Sequence, residues 1–155
     1  MKVLIIDDDN VDCEAMTKIL ASSDQGIEID SADTGQKALE KLKESEFDAI
    51  IVDYMLPDYN GLKLVEQIRE HTSTPIVFVT GQGSEITATQ AIQSGAQNYF
   101  PKDKLQENGD LFYKVVFAPS NLQYLEVLSR LQLLRKQTRF LEQKMNVVEK
   151  LDAKN

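Results

Sequence analysis

Aspartates, a threonine and a lysine stand where short apolar runs end, and these residue types can together handle a phosphoryl group. Asp7 and Asp8 follow Val3–Ile6, Asp53 follows Ala49–Val52, Thr80 follows Ile76–Val79, and Lys102 follows Asn98–Phe100 across a single proline. Carboxylates gathered in one place repel each other and stay ionised only beside a cation. Oxygen donors with no thiolate or imidazole among them favour Mg²⁺. An ammonium such as that of Lys102 can hold the oxygens of a tetrahedral anion, and a threonine hydroxyl adds a neutral donor. One carboxylate could then act as the nucleophile and become an aspartyl phosphate. Taken singly, each residue has a plainer reading, since an aspartate between a strand and a helix is commonly an N-cap. The joint pattern outweighs that reading.

The elements that would bring these residues together alternate in kind. Val3–Ile6, Ala49–Val52 and Ile76–Val79 are continuous apolar runs and read as buried strands. Ile27–Ile29 and Asn98–Phe100 read as shorter strands. Between them, apolar residues recur at helical spacing, at Val11–Leu20, Ala38–Leu42, Leu62–Ile68 and Ile86–Ile92, with a cap expected near Thr34. A helix over 110–118, capped by Asp110, completes five βα units, although a short strand also suits that run. Such alternation predicts a parallel sheet covered on both faces. Sites in these sheets lie beyond the carboxyl ends of the strands, where the strand order switches.

With those residues in view, the chain resembles the receiver domain of two-component response regulators over about residues 2–118. Ile6-Asp7-Asp8-Asp9 is similar to the family's first strand and acidic pair, and Ile51-Val52-Asp53-Tyr54-Met55-Leu56-Pro57 to its phosphoacceptor strand and loop. Val79-Thr80-Gly81 resembles the switch-threonine strand, and Gly95-Ala96 through Tyr99-Phe100-Pro101-Lys102 the final strand with its lysine. The resemblance implies a flavodoxin-like (βα)5 doubly wound sheet of order 2-1-3-4-5. It implies that Asp53 accepts the phosphoryl group from a histidine kinase or phosphotransfer protein, and that the domain assists both its phosphorylation and its dephosphorylation. Mg²⁺ would be held by Asp8 and Asp53, by Asp7 through water, and by the Met55 backbone carbonyl. Lys102 would hold a phosphoryl oxygen, Thr80 would turn toward the group, Gly81 would leave it room, and Tyr99 would move between outward and inward rotamers as the switch. The resemblance thus implies a signalling domain rather than an enzyme.

The chain departs from that family after Lys102, where Asp103 stands in place of a frequent, often cis, proline. A trans bond is expected there, because a non-proline cis peptide costs about 2.5–4 kcal/mol. Gln106–Gly109 resembles an insertion that blurs the start of the last helix of the sheet domain. Two other functions fit parts of the pattern. Asp7-x-Asp9-x-Val11 matches a haloacid-dehalogenase-like phosphatase, with Asp7 as nucleophile and Asp9 as general acid, but the acid such enzymes need after the fourth strand is missing: Thr80-Gly81 stands there. A receiver-like interaction module that is never phosphorylated would be expected to lack site residues, and none is lacking.

The composition supports these readings. The chain has 155 residues, is 42% apolar and 27% charged, and carries a net charge of −8. That is enough for one ordinary core with length to spare. A lone cysteine, Cys13, excludes an internal disulfide, and a lone histidine, His71, argues against zinc sites and hydrolase triads. No run is long enough to span a bilayer and no signal peptide is evident, so a cytoplasmic location is expected. The charge divides unevenly, −11 over residues 1–119 and +3 over 120–155. The acidic part argues against direct nucleic acid binding. Two domains are expected, a receiver over 1–118 and a helical extension over 119–155. Pro119 should end the preceding helix, and Ser120 or Asn121 should cap the next. Tyr124, Val127, Leu131, Leu134, Thr138, Leu141, Met145 and Val148 then alternate three and four apart, a heptad seam with Thr138 its weak position. The seam points to self-association, as a homodimer, or to a signalling linker, ahead of a helix that packs on its own sheet domain.

Overall fold

The computed structural model describes residues 1–81, 85–117 and 122–152, and the side chains of 122–132 are outside that description. The expected break at Pro119, the caps at Ser120 or Asn121 and the seam side chains Tyr124, Val127 and Leu131 therefore lie outside the described residues. In chain order the elements are β1 (Lys2–Ile6), α1 (Asn10–Ser23), β2 (Glu28–Ala32), α2 (Gly35–Glu44), β3 (Ala49–Asp53), α3 (Gly61–Arg69), β4 (Ile76–Thr80), α4 (Glu85–Ser94), β5 (Asn98–Pro101), a 3-10 turn (Lys102–Lys104), α5 (Gly109–Phe117) and α6 (Leu122–Asp152). The five strands are all parallel, in the order β2-β1-β3-β4-β5. This is the flavodoxin-like, doubly wound arrangement expected from the sequence.

The period-2 alternation of strand side chains divides the core between the two faces of the sheet. Leu4, Ile6, Ile50, Val52, Ile76 and Phe78 point to one face and meet Ala38, Leu64, Val65, Ile68 and Ala91 of α2, α3 and α4. Val3, Ile5, Ala49, Ile51, Val77, Val79 and Phe100 point to the other and meet Met16, Leu20, Phe112 and Val116 of α1 and α5. All residues of β3 and β4 are buried, which is why these strands read as unbroken apolar runs. β2 is one of the two edge strands, and only Ala32 of it is buried. The second strand accordingly lies later than the sequence suggested. Its register pairs Lys2 with Glu28 and Ile6 with Ala32, and polar Asp30 and Ser31 obscured its second half.

Local chemistry fixes the helix starts. Asp9 caps α1 by accepting from Val11 and Asp12 N–H, Thr34 caps α2 by accepting from Lys37 N–H, and Asn60 caps α3 by accepting from Leu62 N–H. At α5 the structure corrects the expected cap. The helix starts at Gly109, Asp110 lies in its first turn, and the Phe112 N–H donates to the Asn108 carbonyl at 3.0 Å. The stretch before it is a tight turn, with the Asn108 N–H donating to the Lys104 carbonyl at 2.9 Å. No peptide bond among the described residues is cis, the Lys102–Asp103 bond included. At the end of α4, Gly95 takes a φ of 117°, and a Cβ there would lie 2.5 Å from Cγ of Arg69. Only glycine satisfies both conditions. The same arginine donates to the Gly95, Thr72 and Thr74 carbonyls, tying α3 to the entry of β4.

The contacts divide the chain into two units, Met1–Pro119 and Ser120–Asn155. In the second unit α6 runs for 31 residues, about 46 Å at 1.5 Å per residue. Leu134, Leu141, Met145 and Val148 of the seam are all exposed on it, as are Leu133, Phe140, Val147 and Leu151.

Candidate functional site

The ends of β1, β3 and β4 and the turn after β5 converge beside the β1–β3 switch in strand order, as the topology requires. Asp53 is the last residue of β3 and Thr80 the last of β4. Asp7 follows β1, and its N–H donates to the Ala32 carbonyl at 3.0 Å, so the β1–β2 ladder holds its backbone. Asp7, Asp53 and Thr80 are the only buried polar or charged residues among those described, and all three are at this edge. Asp8 is exposed.

Lys102 ties the site together. Its Nζ lies 2.7 Å from Asp7 Oδ2, 3.2 Å from Asp53 Oδ1 and 2.8 Å from Asp12 Oδ2. Burial alone would lower its pKa, but the adjoining Asp12 and Asp7 carboxylates outweigh burial and hold it above the usual lysine value. The carboxylates respond the other way. Burial, with the charge of Asp7 beside it, raises Asp53 to about 6 despite the attraction of Lys102. Burial also raises Asp7, against the nearby Lys102 ammonium and the hydrogen bond from the Asp9 N–H. One ammonium does not neutralise this group.

The donor set fits a hard divalent cation. Asp7, Asp8 and Asp53 each offer a carboxylate oxygen, and these oxygens lie within 4.8 Å of one another. Asp7 Oδ2 is buried and receives no aligned hydrogen bond, although the Lys102 nitrogen is 2.7 Å away. The short distance gives charge attraction without the directed N–H bond, so this oxygen retains a lone pair for a cation. The backbone of the loop after β3 is tightly set. Met55 bridges to Asn60, and the Gly61 N–H donates to the Tyr54 carbonyl at 2.8 Å. A Cβ on Gly61 would sit 2.2 Å from the Asp53 carbonyl oxygen, so glycine is what permits the loop to close. The Met55 side chain is exposed, leaving its carbonyl as the group that could serve a metal.

Tyr99 on β5 packs against the core face that holds Phe78 and Ala91. Its hydroxyl is buried and has no hydrogen-bond partner among the described residues. Burial, and then the charge of Asp103, raises its pKa. Among the described residues, a Cβ built on Gly81 meets nothing within 4 Å. Asp9, the general acid of the phosphatase reading, is instead engaged as the α1 cap, at 2.9 Å from the Val11 N–H.

Sequence reasoning missed two carboxylates. Asp12 reaches Lys102 from the first turn of α1, three residues past the Asp9 cap and so on the same side of the helix. That spacing was the available signal. Asp58 accepts from the Gly35 and Gln36 N–H groups at 2.8 and 2.9 Å, linking the loop after β3 to the start of α2. No local pattern reveals a cap supplied from 22 residues away.

Comparison with known proteins leads in the same direction. A family model described as the response regulator receiver domain matches residues 3–111. The transcriptional regulatory protein SrrA of Staphylococcus aureus is 33% identical over 101 residues, 65% of this chain and 41% of that protein. The chain thus spans about two fifths of the length of the curated relatives it matches. The crystal structure of a two-component response regulator from Clostridium difficile is 30% identical, covers 78% of this chain and 98% of its own, and has a TM-score of 0.69. A response regulator from Burkholderia pseudomallei, whose structure holds a phosphorylated aspartic acid, a calcium ion and citrate, is 26% identical, covering 83% of this chain and 74% of its own, with a TM-score of 0.67.

Proposed function

The chain belongs to the response regulator receiver domain family, and from that premise we propose that it accepts a phosphoryl group on Asp53 from a histidine kinase or phosphotransfer protein. The observation that carries the reading is the Lys102 ammonium held between Asp7 and Asp53, at 2.7 and 3.2 Å, at the carboxyl edge of a parallel sheet. An Asp53 carboxylate oxygen attacks phosphorus, and the new P–O bond forms as the P–N bond to the donor imidazole breaks. The ring nitrogen keeps the electron pair and takes a proton. Lys102 then faces a phosphoryl oxygen where it faced Asp53 Oδ1, and the Thr80 hydroxyl supplies a further donor. Mg²⁺ would be held by Asp8, Asp53 and the Met55 carbonyl, with Asp7 through water, and would supply positive charge for the phosphoryl oxygens. In hydrolysis water attacks phosphorus, Asp53 departs as a carboxylate, and inorganic phosphate leaves. The domain assists its own chemistry in this way without acting on a separate substrate.

The output of the switch lies with Thr80 and Tyr99. Movement of Thr80 toward the new phosphoryl group vacates space, and the Tyr99 hydroxyl, without a partner among the described residues, gives that ring a reason to respond. The resulting change on the α4–β5–α5 face is read by a partner or by the helical extension over 119–155, which acts as a coiled-coil dimerisation element or signalling linker. No helix among the described residues is long and apolar enough to cross a membrane, which accords with a cytoplasmic place of action. Phosphoramidate, a small P–N donor, tests the transfer. The full chain with Mg²⁺ should take up one phosphoryl group, and chelation should stop it. Absence of uptake at any Mg²⁺ concentration would remove the reading.

A further inference from the structure

Asp12 is the one carboxylate on Lys102 that the phosphoacceptor chemistry does not use. Its Oδ2 receives a hydrogen bond from Lys102 Nζ at 2.8 Å across 90 residues of sequence. Asp7 and Asp53 occupy the other sides of the same ammonium. A lysine ammonium has three N–H groups, and three carboxylates surround this one. The bond to Asp12 is also the aligned one, since Asp7 Oδ2 receives no directed hydrogen bond. The Lys102 side chain is 12% exposed and that of Asp12 32%, so solvent and salt screen the contact only in part.

We propose that Asp12 is a positioning residue that competes with a phosphoryl group for the Lys102 ammonium and so weakens the hold of the site on a phosphoryl-like anion. The inference rests on the phosphoacceptor reading above. An anion arriving at Asp53 needs an N–H of Lys102 and its positive charge. Asp12 engages one N–H, offsets the charge and adds repulsion of its own. The same negative charge favours a cation at Asp7, Asp8 and Asp53. Neutralising Asp12 therefore tightens the anion and weakens the cation, whereas a loosened lysine would do the reverse and a loosened fold would weaken both.

The test is calorimetric titration of the full chain as parent, Asp12→Asn and Asp12→Glu, first with Mg²⁺ alone and then with beryllofluoride at saturating Mg²⁺. Asp12→Asn should bind beryllofluoride about 3- to 10-fold more tightly and Mg²⁺ more weakly by a similar factor, both effects shrinking at high salt. Asp12→Glu, which keeps the charge, should return most of the parental behaviour. Beryllofluoride binding by Asp12→Asn that is unchanged or weaker overturns the inference, and a lower thermal midpoint with both affinities unchanged would reduce Asp12 to a helix-terminus charge. Failure of the parent itself to bind beryllofluoride with Mg²⁺ overturns the phosphoacceptor reading, and this inference with it.

Discussion

At the scale of single residues, the site is held in tension by burial. Asp53 is 6% exposed and its pKa moves from 3.8 to about 6. A folded chain therefore keeps a proton that the unfolded chain releases as pH rises through that window. Stability from this group is greatest below pH 4 and is lost as pH passes 6. Asp53→Asn should accordingly stabilise the metal-free protein at pH 7 by roughly 2–3 kcal/mol, an advantage that vanishes near pH 4. Thermal melts at the two pH values check this, and Mg²⁺ should narrow the gap by stabilising only the parent. Asp53, Thr80 and Lys102 were legible in the sequence because each ends an apolar run or follows one closely. Asp12 was not, because its role depends on where the chain places Lys102, 90 residues later.

At the scale of elements, the apolar runs revealed β1, β3 and β4 because both faces of these strands are buried, and neither turn chemistry nor polarity interrupts them. β2 was displaced in the reading because an edge strand carries polar residues wherever solvent reaches it. The start of α5 was missed because Asn108, and not the more obvious Asp110, accepts from the Phe112 N–H. Two substitutions test how elements support the site. Phe112→Ala removes a fully buried ring that meets Phe100 edge-on at a centroid distance of 5.2 Å. It should cost about 3–5 kcal/mol by denaturant unfolding. Gly61→Ala drives a methyl group onto the Asp53 and Tyr54 backbone. It should cost about 1–3 kcal/mol and, unlike Phe112→Ala, weaken Mg²⁺ binding in the protein that remains folded, because the loop bearing Met55 must shift. Calorimetric Mg²⁺ titration of the two variants separates a loss at the site from a loss of stability alone.

At the scale of the whole molecule, the net charge of −8 conceals two unlike parts, and the structure divides at nearly the same place. The heptad spacing could be read from sequence, but what covers it could not, because a seam names a geometry and not a partner. On α6, Thr138 bonds its hydroxyl to the Leu134 carbonyl at 2.8 Å, which satisfies within its own helix the one polar group among the described seam side chains. Lys144 lies over the Phe140 ring at 4.7 Å, outside the seam. A helix left with this much exposed apolar surface gains by pairing with a second copy. The full chain should sediment as a dimer at micromolar concentration, and Leu141→Lys should make it monomeric while changing the unfolding free energy of the sheet domain by no more than about 0.5 kcal/mol. Monomeric behaviour of the parent, with and without beryllofluoride, would leave the helix as a linker only.

The central claim is that Asp53 accepts the phosphoryl group, and mass spectrometry tests it most directly. The full chain is incubated with acetyl phosphate and Mg²⁺, weighed intact, and mapped by peptide. One added phosphoryl group on the peptide containing Asp53, absent after chelation and absent from Asp53→Asn, is the predicted result. A parent that gains no mass, or an Asp53→Asn variant that gains the same mass as the parent, would contradict it.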